Sequence, residues 1–295
     1  MKALVIVSAQ AGKGGHEIVR ETITREFGAA HLEFEIQETR VGDKPDEIVR
    51  ARRGDGFDLV VAAGGDGTVS CVFDGLYGST IPLGIIPTGT GNLIAREFNI
   101  PTELDDAVAL IAGNPRSMKI DAMRIGKRVY VLNAGVGISA AVIAGTTRKS
   151  KQRFGRLAYF ATAIKIFRFR PRALDVTIDG KKAKYRAVEV AISNCGILAK
   201  TLYPSGPDIR TNDGHVDVWI LSMATFLDYV RYLLGIIFGR RAKAQFLIAK
   251  ESVAISSRAP MTAQADGDII GTTPLEIEVL PSALSILVPE QPLES

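Results

Sequence analysis

The chain has 295 residues, 46% hydrophobic and 23% charged, with 36 basic against 32 acidic side chains and a net charge of +4. That length and balance suit two globular domains with substantial cores and exclude a fibrous or disordered chain. The weak positive bias fits an anionic ligand or surface, without choosing between nucleotide, nucleic acid and membrane. Cys71 and Cys195 stand far apart with no ligand spacing, which argues against a disulfide framework or zinc site and for a reducing, cytoplasmic compartment. The apolar run after Met1 is too short for a signal-peptide core, and the greasiest stretch, Ala224 to Phe238, is too short and too charged (Asp228, Arg231) to span a bilayer.

Lys2 to Ser8 is a continuous apolar run, the pattern of a strand covered on both faces. His16 to Phe27 has helical spacing, with Ile18, Val19 and Ile23 on one face. Glu33 to Thr39 alternates like a strand, and Asp58 to Ala63 reads as a buried one, followed by a glycine-rich turn and a helix from about Val69. Pro82 to Ile86 repeats that plan and leads to a helix over Leu93 to Phe98; Asp105 to Ala112 is a helix, stopped by Gly113 and Pro115. Repeated strand, turn and helix predict a Rossmann-like α/β domain with a parallel sheet.

The pattern then changes, and the boundary is placed near Ser117 to Asp121, giving domains over 1–118 and 119–295, with the extreme C-terminus open to returning to the first. Lys119 to Ile125 and Arg128 to Asn133 form a hairpin across Gly126-Lys127; Ala173 to Ile178 and Lys184 to Ser193 form another across Asp179-Gly180. Val216 to Leu221, Phe246 to Ile255, Leu275 to Leu280 and Leu284 to Val288 are further strands, interrupted by helical inserts over Phe154 to Phe167 and Thr225 to Phe238. This half reads as mainly antiparallel β, and Glu290 to Ser295 as a loose tail.

Two loops carry the chemistry of the first half. Gly64-Gly65-Asp66-Gly67-Thr68 follows a strand and opens a helix. Successive glycines let backbone N–H groups converge on an anion, the helix N-terminus adds positive potential, and Asp66 offers a carboxylate to Mg2+ between phosphate oxygens. Thr88-Gly89-Thr90-Gly91-Asn92 repeats the plan after the next strand, with Thr90 and Asn92 as short polar groups for phosphate or ribose. A tight turn without ligand is the alternative for either loop. Two such loops at the carboxyl ends of parallel strands would face one crevice.

Gly64 to Thr68 and Pro82 to Asn92, followed by Asp121, Asn133-Ala134-Gly135-Val136-Gly137, Asp213-Gly214 with Asp217-Val218, and Asp266-Gly267-Asp268 before Pro274, resemble the diacylglycerol kinase and sphingosine kinase family over nearly the whole chain. The resemblance implies an α/β domain of the NAD kinase and diacylglycerol kinase type and a C-terminal β-sandwich. It also implies ATP and Mg2+ as cofactors and transfer of a phosphoryl group to a lipid alcohol such as diacylglycerol or a sphingoid base. The nucleotide set it implies is Gly12, Lys13, Thr39, Gly64, Gly65, Asp66, Gly67, Thr68, Thr88, Gly89, Thr90 and Asn92. Asp66, Asp266 and Asp268 are the implied catalytic carboxylates: Asp268 is the proton acceptor, with Asp266 orienting it or holding metal. A structural Mg2+ is implied at the Asp213 carboxylate and the carbonyls of Arg210 and His215.

The chain departs from the family at two places. The first loop reads Ser8-Ala9-Gln10-Ala11-Gly12-Lys13 where the family has Asn-Pro-x-Ser-Gly, and no Ser or Thr follows Lys13 to make a Walker loop. Asp268 stands where the family has Glu, one methylene shorter. A NAD kinase-like enzyme is the alternative, although its Asn-Glu pair is missing because Ala134 follows Asn133; a catalytically silent lipid- or nucleotide-binding protein is another. Lys149 to Arg172 and Thr225 to Arg241 interleave basic and apolar residues. Such helices either pack their apolar face inward or dock reversibly on an anionic membrane. No nucleic-acid recognition motif is present, and a homodimer stays open.

Overall fold

The computed structural model describes residues 1–8, 15–40, 42–113, 115–144, 170–202, 206–223, 225, 227–231, 234 and 244–290. The chain divides into two compact units, Met1–Ala122 together with the segment from Pro281 onward, and Met123–Leu280.

The first unit contains β1 (Lys2–Ser8), α1 (His16–Ala29), β2 (Glu33–Thr39), α2 (Pro45–Arg52), β3 (Leu59–Gly64), α3 (Asp66–Leu76), β4 (Leu83–Pro87), α4 (Leu93–Glu97) and α5 (Leu104–Ala112). Strands run β2-β1-β3-β4, all parallel. Ala3 to Val7 and Leu59 to Ala63 are buried throughout, because helices need an apolar bed on each face of such a sheet. On α1 the buried stripe is Val19, Thr22, Ile23 and Phe27; Ile18 is half exposed rather than on the core face, since it sits about a hundred degrees around the helix from Val19. The chain order reverses between β1 and β3. In an open α/β sheet that is where ligands bind, at the carboxyl ends of the strands. Helix α3 begins at Asp66, a turn earlier than the expected Val69, so Asp66, Gly67 and Thr68 belong to its first turn and Gly65 is its N-cap.

Two strands cross the unit boundary, β5 (Arg116–Ile125) and β16 (Leu275–Val288). The gap read between Leu280 and Leu284 is a change of pairing partner within β16. Leu275 to Glu278 pair antiparallel in the second unit, and Ile286 pairs parallel with Leu83 in the first. At the change Ser282 takes φ 49°, and its N–H donates to Asp121 Oδ1 at 2.7 Å.

The second unit adds β6 (Arg128–Tyr130), β7 (Asn133–Gly137), α6 (Ile138–Ala144), β8 (Arg172–Ile178), β9 (Lys181–Ala187), β10 (Glu189–Ser193), α7 (Gly196–Leu202), β11 (Val216–Leu221), β12 (Ala244–Ala249), β13 (Ser252–Ser257), β14 (Thr262–Ala265) and β15 (Asp268–Thr272). One sheet is antiparallel in the order β12-β11-β10-β7-β14-β15. The other pairs β16, β13, β8 and β9 antiparallel. Val136, Ile192 and Val218 of the first meet Val176, Val253 and Ile277 of the second in one core, the interior of a sandwich. The run Lys184 to Ser193 is two strands, not one: β9 and β10 belong to different sheets, and the polar, exposed β9 gives way to buried β10 at Val188. Phe246 to Ile255 likewise divides into β12 and β13. The β14–β15 hairpin has no counterpart among the expected strands, because a four-residue strand with Gln at its centre carries no apolar signal. The insert expected over 154–167 lies outside the described residues, as do half of the one over 225–238 and residues 291–295.

The β8–β9 turn shows how these sheets are pinned. Asp179 and Gly180 take φ 47° and 78°, the left-handed pair of a two-residue hairpin. The Asp179 carboxylate accepts the N–H groups of Lys250, Glu251 and Ser252 at 2.8–3.2 Å. Burial pushes this carboxyl up, but the three N–H donors outweigh that and hold it below the ordinary aspartate value. Asp179→Ala is expected to destabilise the protein by about 1–3 kcal/mol in urea titration. A depressed carboxyl stabilises above its ordinary pKa and loses that contribution in acid, so the deficit should be full at neutral pH and narrow below the ordinary aspartate range.

Candidate functional site

In the first unit the carboxyl ends of the strands share one edge. Ser8 lies opposite Thr39, Val7 opposite Ala63, and Gly64 opposite Pro87. The loop after β1, with Gly12 and Lys13, lies outside the described residues. The two glycine loops touch each other. A Cβ at Gly89 would lie 2.6 Å from the Cα of Gly65, and one at Gly64 would lie 2.5 Å from Thr68 Cβ. Thr88 N–H donates to the Gly64 carbonyl at 3.0 Å, while Thr68 and Val69 donate to the Gly65 carbonyl. The N–H groups of Asp66 and Gly67, which open α3, have no intrahelical acceptor and point with the helix dipole. Thr88 Oγ1 is buried without a hydrogen-bond partner among the described residues. Bare backbone, free helical donors and a waiting hydroxyl together fit a polyphosphate.

The polar side chains here have internal duties. Asp66 Oδ1 accepts the Ile94 N–H at 3.0 Å, tying the first loop to the start of α4, while Oδ2 faces Gly91. Asn92, in the left-handed region with φ 49°, accepts from Gly89 N–H at 3.0 Å and donates to Gly89 O at 2.9 Å, stapling its own loop. Thr39 is buried and its hydroxyl donates to Val7 O at 3.3 Å. Thr90 is exposed at the tip. Asp121 is fully buried and accepts from Ser282.

In the second unit Asp266 and Gly267 form the β14–β15 turn, with φ 46° and 86°. The Asp266 carboxylate accepts the N–H groups of Val131, Leu132 and Asn133 at 3.0, 2.9 and 3.0 Å, and the Asp266 N–H donates to Asn133 O at 2.9 Å. Asp266 therefore fastens its turn to the entry of β7. Asp268 opens β15 with its side chain exposed to solvent.

Asp213 Oδ1 lies 3.2 Å from His215 Nδ1, and the Arg210 side chain reaches towards Asp208 at 3.9 Å. Asp217, one strand position beyond, is buried; burial pushes its carboxyl up to about 6, with His215 drawing it down and Asp213 pushing it up. Among the described residues no three His, Cys, Asp or Glu side chains are grouped to hold a metal ion. The set implied by the resemblance relies on carbonyls beside Asp213. Two neighbouring carboxylates, one of them buried, suit a hard cation with oxygen ligands there.

Sequence reasoning gave no role to Glu189. It lies on the face of β10 covered by α6 and is buried, accepting the Ser139 N–H at 2.9 Å and the Ser139 hydroxyl at 2.5 Å. Burial pushes its carboxyl up to about 7 against those donors. Alternation along Glu189, Ala191 and Ser193 reads as a solvent face, and only the packing of α6 and α7 shows otherwise.

The family described as diacylglycerol kinase catalytic domain matches residues 2–125, and the one described as YegS C-terminal NAD kinase beta sandwich-like domain matches residues 132–288. The chain is 29% identical to a diacylglycerol kinase of Bacillus subtilis, over 81% of this chain and 80% of the relative. It is 28% identical to a diacylglycerol kinase of Mycobacterium tuberculosis, over 88% and 86%. Its fold is similar to the crystal structure of a diacylglycerol kinase from Bacillus anthracis, with TM-score 0.78 and 22% identity over 98% of this chain and 97% of that one. Glycine loops at a parallel-sheet edge, an antiparallel sandwich and matches to both domain families over nearly the whole length place the chain in the bacterial diacylglycerol kinase-like lipid kinase family.

Proposed function

We propose that this chain is an ATP-dependent kinase that transfers the γ-phosphoryl group to the hydroxyl of a lipid alcohol, diacylglycerol, a sphingoid base or a related lipid. The observation that carries the reading is the contact of the two glycine loops at Gly65 and Gly89, which leaves a bare-backbone seat beside the first turn of α3. In this reading Gly64 to Thr68 and Thr88 to Thr90 hold phosphates, with Gly12 and Lys13 contributing from the first loop. Asp66 Oδ2 is offered to magnesium, which when bound neutralises phosphate charge. The acceptor oxygen attacks the γ-phosphorus as the bond to the ADP oxygen breaks, and Asp268 takes the hydroxyl proton. Asp266, fully engaged with the entry of β7, positions Asp268 rather than reacting. Asp213 and the carbonyls of Arg210 and His215 would hold a structural magnesium, with the buried Asp217 carboxyl beside them.

A lipid acceptor sits in a bilayer, and no helix among the described residues is long and apolar enough to cross one. The reading therefore includes a cytoplasmic protein that docks reversibly on anionic membrane through the basic, apolar stretches over 149–172 and 225–241. The deciding experiment incubates the purified protein with labelled ATP, Mg2+ and vesicles carrying each lipid alcohol, with NAD as a parallel acceptor. Label in a phospholipid supports the reading. Label in NADP alone, or in nothing, overturns it.

Asp66→Ala is expected to lose roughly 10²-fold or more in kcat while circular dichroism shows the fold intact, because the magnesium that would neutralise phosphate charge loses its carboxylate ligand. Asp268→Glu, which restores the reach of the family's Glu, should keep or raise activity, whereas Asp268→Asn should lose roughly 10²-fold. Equal rates for Asn and Asp would move the base elsewhere. Charge reversal at Arg240 and Arg241, each worth about 1 kcal/mol at an anionic surface, should raise the apparent KM for vesicle substrate and leave a short-chain soluble analogue unaffected. Equal losses on both substrates would remove these arginines from docking.

A further inference from the structure

The sandwich contains a buried carboxyl that phosphoryl transfer does not use. Glu189 lies beneath α6, with Gly137 opposite it across the β10–β7 ladder. A Cβ on Gly135 would sit 2.9 Å from Glu189 Oε1, and one on Gly137 would sit 2.8 Å from Oε2 and 2.2 Å from the Val188 carbonyl. Gly137 also has φ 132°, outside the range of most side chains. Gly135 is thus bare where the Glu189 carboxyl occupies the space, while Gly137 is required first by its own φ and the Val188 carbonyl, with Glu189 Oε2 beside it. That carboxyl grips Ser139 twice, by its backbone N–H and its hydroxyl.

This grip leads towards Asp268. Ser139 is in the first turn of α6, and α6 packs on both β14 and β15. Those strands are the arms of the hairpin whose tip is Asp266-Gly267, with Asp268 at the start of the second arm. The same β7 that lines Glu189 on one side pairs with β14 on the other, Gly135 against Gln264. A rigid element joined at both ends is needed where a proton acceptor must be placed to a fraction of an ångström.

We propose that Glu189 is a positioning residue for the Asp268 hairpin, gripping Ser139 so that α6 is held down on β14 and β15. The inference rests on the reading of Asp268 as proton acceptor. No charged group among the described residues faces Glu189. β7 and α6 offer it glycines, apolar residues and Ser139; on β11 it pairs with Leu221 while Asp217 lies opposite Ser193; and on α7, which also packs on β10, the charged side chain is Lys200, exposed and paired with Asp208 at 3.0 Å. The groups acting on it are Ser139 and the Ile138 backbone. A raised carboxyl pKa means that the closed arrangement favours the protonated form. In acid the carboxyl keeps its proton and Ser139 stays bound without a buried charge; as pH rises through about 7 the Ser139 donors favour the ionised form but do not offset its desolvation, and the closed packing gives way to opening towards water.

The test compares wild type with Glu189→Gln, which imitates the protonated acid, and Ser139→Ala, which removes the partner. Wild-type amide protection over 138–144 and 262–272, corrected for intrinsic exchange, is expected to fall about tenfold between about pH 6 and about pH 8.5, and Glu189→Gln to hold its protection throughout. In lipid phosphorylation, Glu189→Gln should match wild-type kcat in acid and lack the decline that wild type shows above neutrality. Ser139→Ala should lose about tenfold in kcat at every pH with KM for ATP unchanged. Superimposable wild-type and Glu189→Gln profiles in both exchange and kcat would overturn the proposal and leave Glu189 a packing residue. If wild type phosphorylates no lipid, the kinase reading falls, and the exchange profiles alone decide the grip.

Discussion

Backbone meets backbone at Gly65 and Gly89, and the architecture of the first unit follows from that contact. Two βα loops at neighbouring strand ends come this close only because position 89 carries no Cβ, since the 2.6 Å that a Gly89 Cβ would leave to the Gly65 Cα is far inside van der Waals contact, while a Cβ at Gly65 would be tight at 3.3 Å. Bringing them together sets bare backbone beside the first turn of α3, where the N–H groups of Asp66 and Gly67 have no intrahelical acceptor. The buried strands Ala3 to Val7 and Leu59 to Ala63 supply the rigidity, since a loop contact of this kind is only as well defined as the strand ends that aim it. The side chains of the loops then work inward. Asn92 closes its own turn, and Asp66 spans from the first loop to α4.

The same device recurs with acidic side chains. Asp179 gathers three N–H groups at one hairpin, Asp266 gathers three at another, Asp121 takes one at the kink of β16, and Glu189 takes two donors from Ser139. The aspartates serve backbone donors that lose their sheet partners where a strand leaves its ladder, and Glu189 serves the first turn of α6. A buried N–H without an acceptor costs more than a typical hydrogen bond returns, so an acid placed at such a site stabilises the irregularity itself. Glu189 differs from the others in depth. Its donors do not match the desolvation of its charge, and its proton stays on closer to neutrality.

These roles explain what could be read from the chain alone. The parallel strands were legible nearly to the residue because a short, continuous apolar run that ends at turn residues suits little besides a strand covered on both faces, as in Lys2 to Ser8 and Leu83 to Pro87. The antiparallel half was legible in its hairpins, where Asp179-Gly180 and Gly126-Lys127 announce turns. It was not legible where one run feeds two sheets, at Val188 and at Lys250, because a crossing between sheets leaves the alternation intact. The glycine loops stood out by composition. The duties of Thr39, Asn92 and Asp266 did not, since each is fixed by a contact that no local pattern encodes. Glu189 was hidden for the same reason: α6 covers what reads as a solvent face.

The aspartate at position 268 gains its meaning from this scaffold. In the proposed reading, a carboxyl one methylene shorter than a Glu has fewer rotamers with which to find an acceptor hydroxyl, so its backbone would have to be placed more closely. Its hairpin is held accordingly. The tip residue Asp266 is bound to three consecutive N–H groups, Gly267 N–H donates to Gln264 Oε1 at 3.3 Å, and α6 lies across both arms. Few of these restraints touch Asp268, which stays exposed at the head of β15. The chain combines the short acid with a turn tied down on every side that the described residues offer.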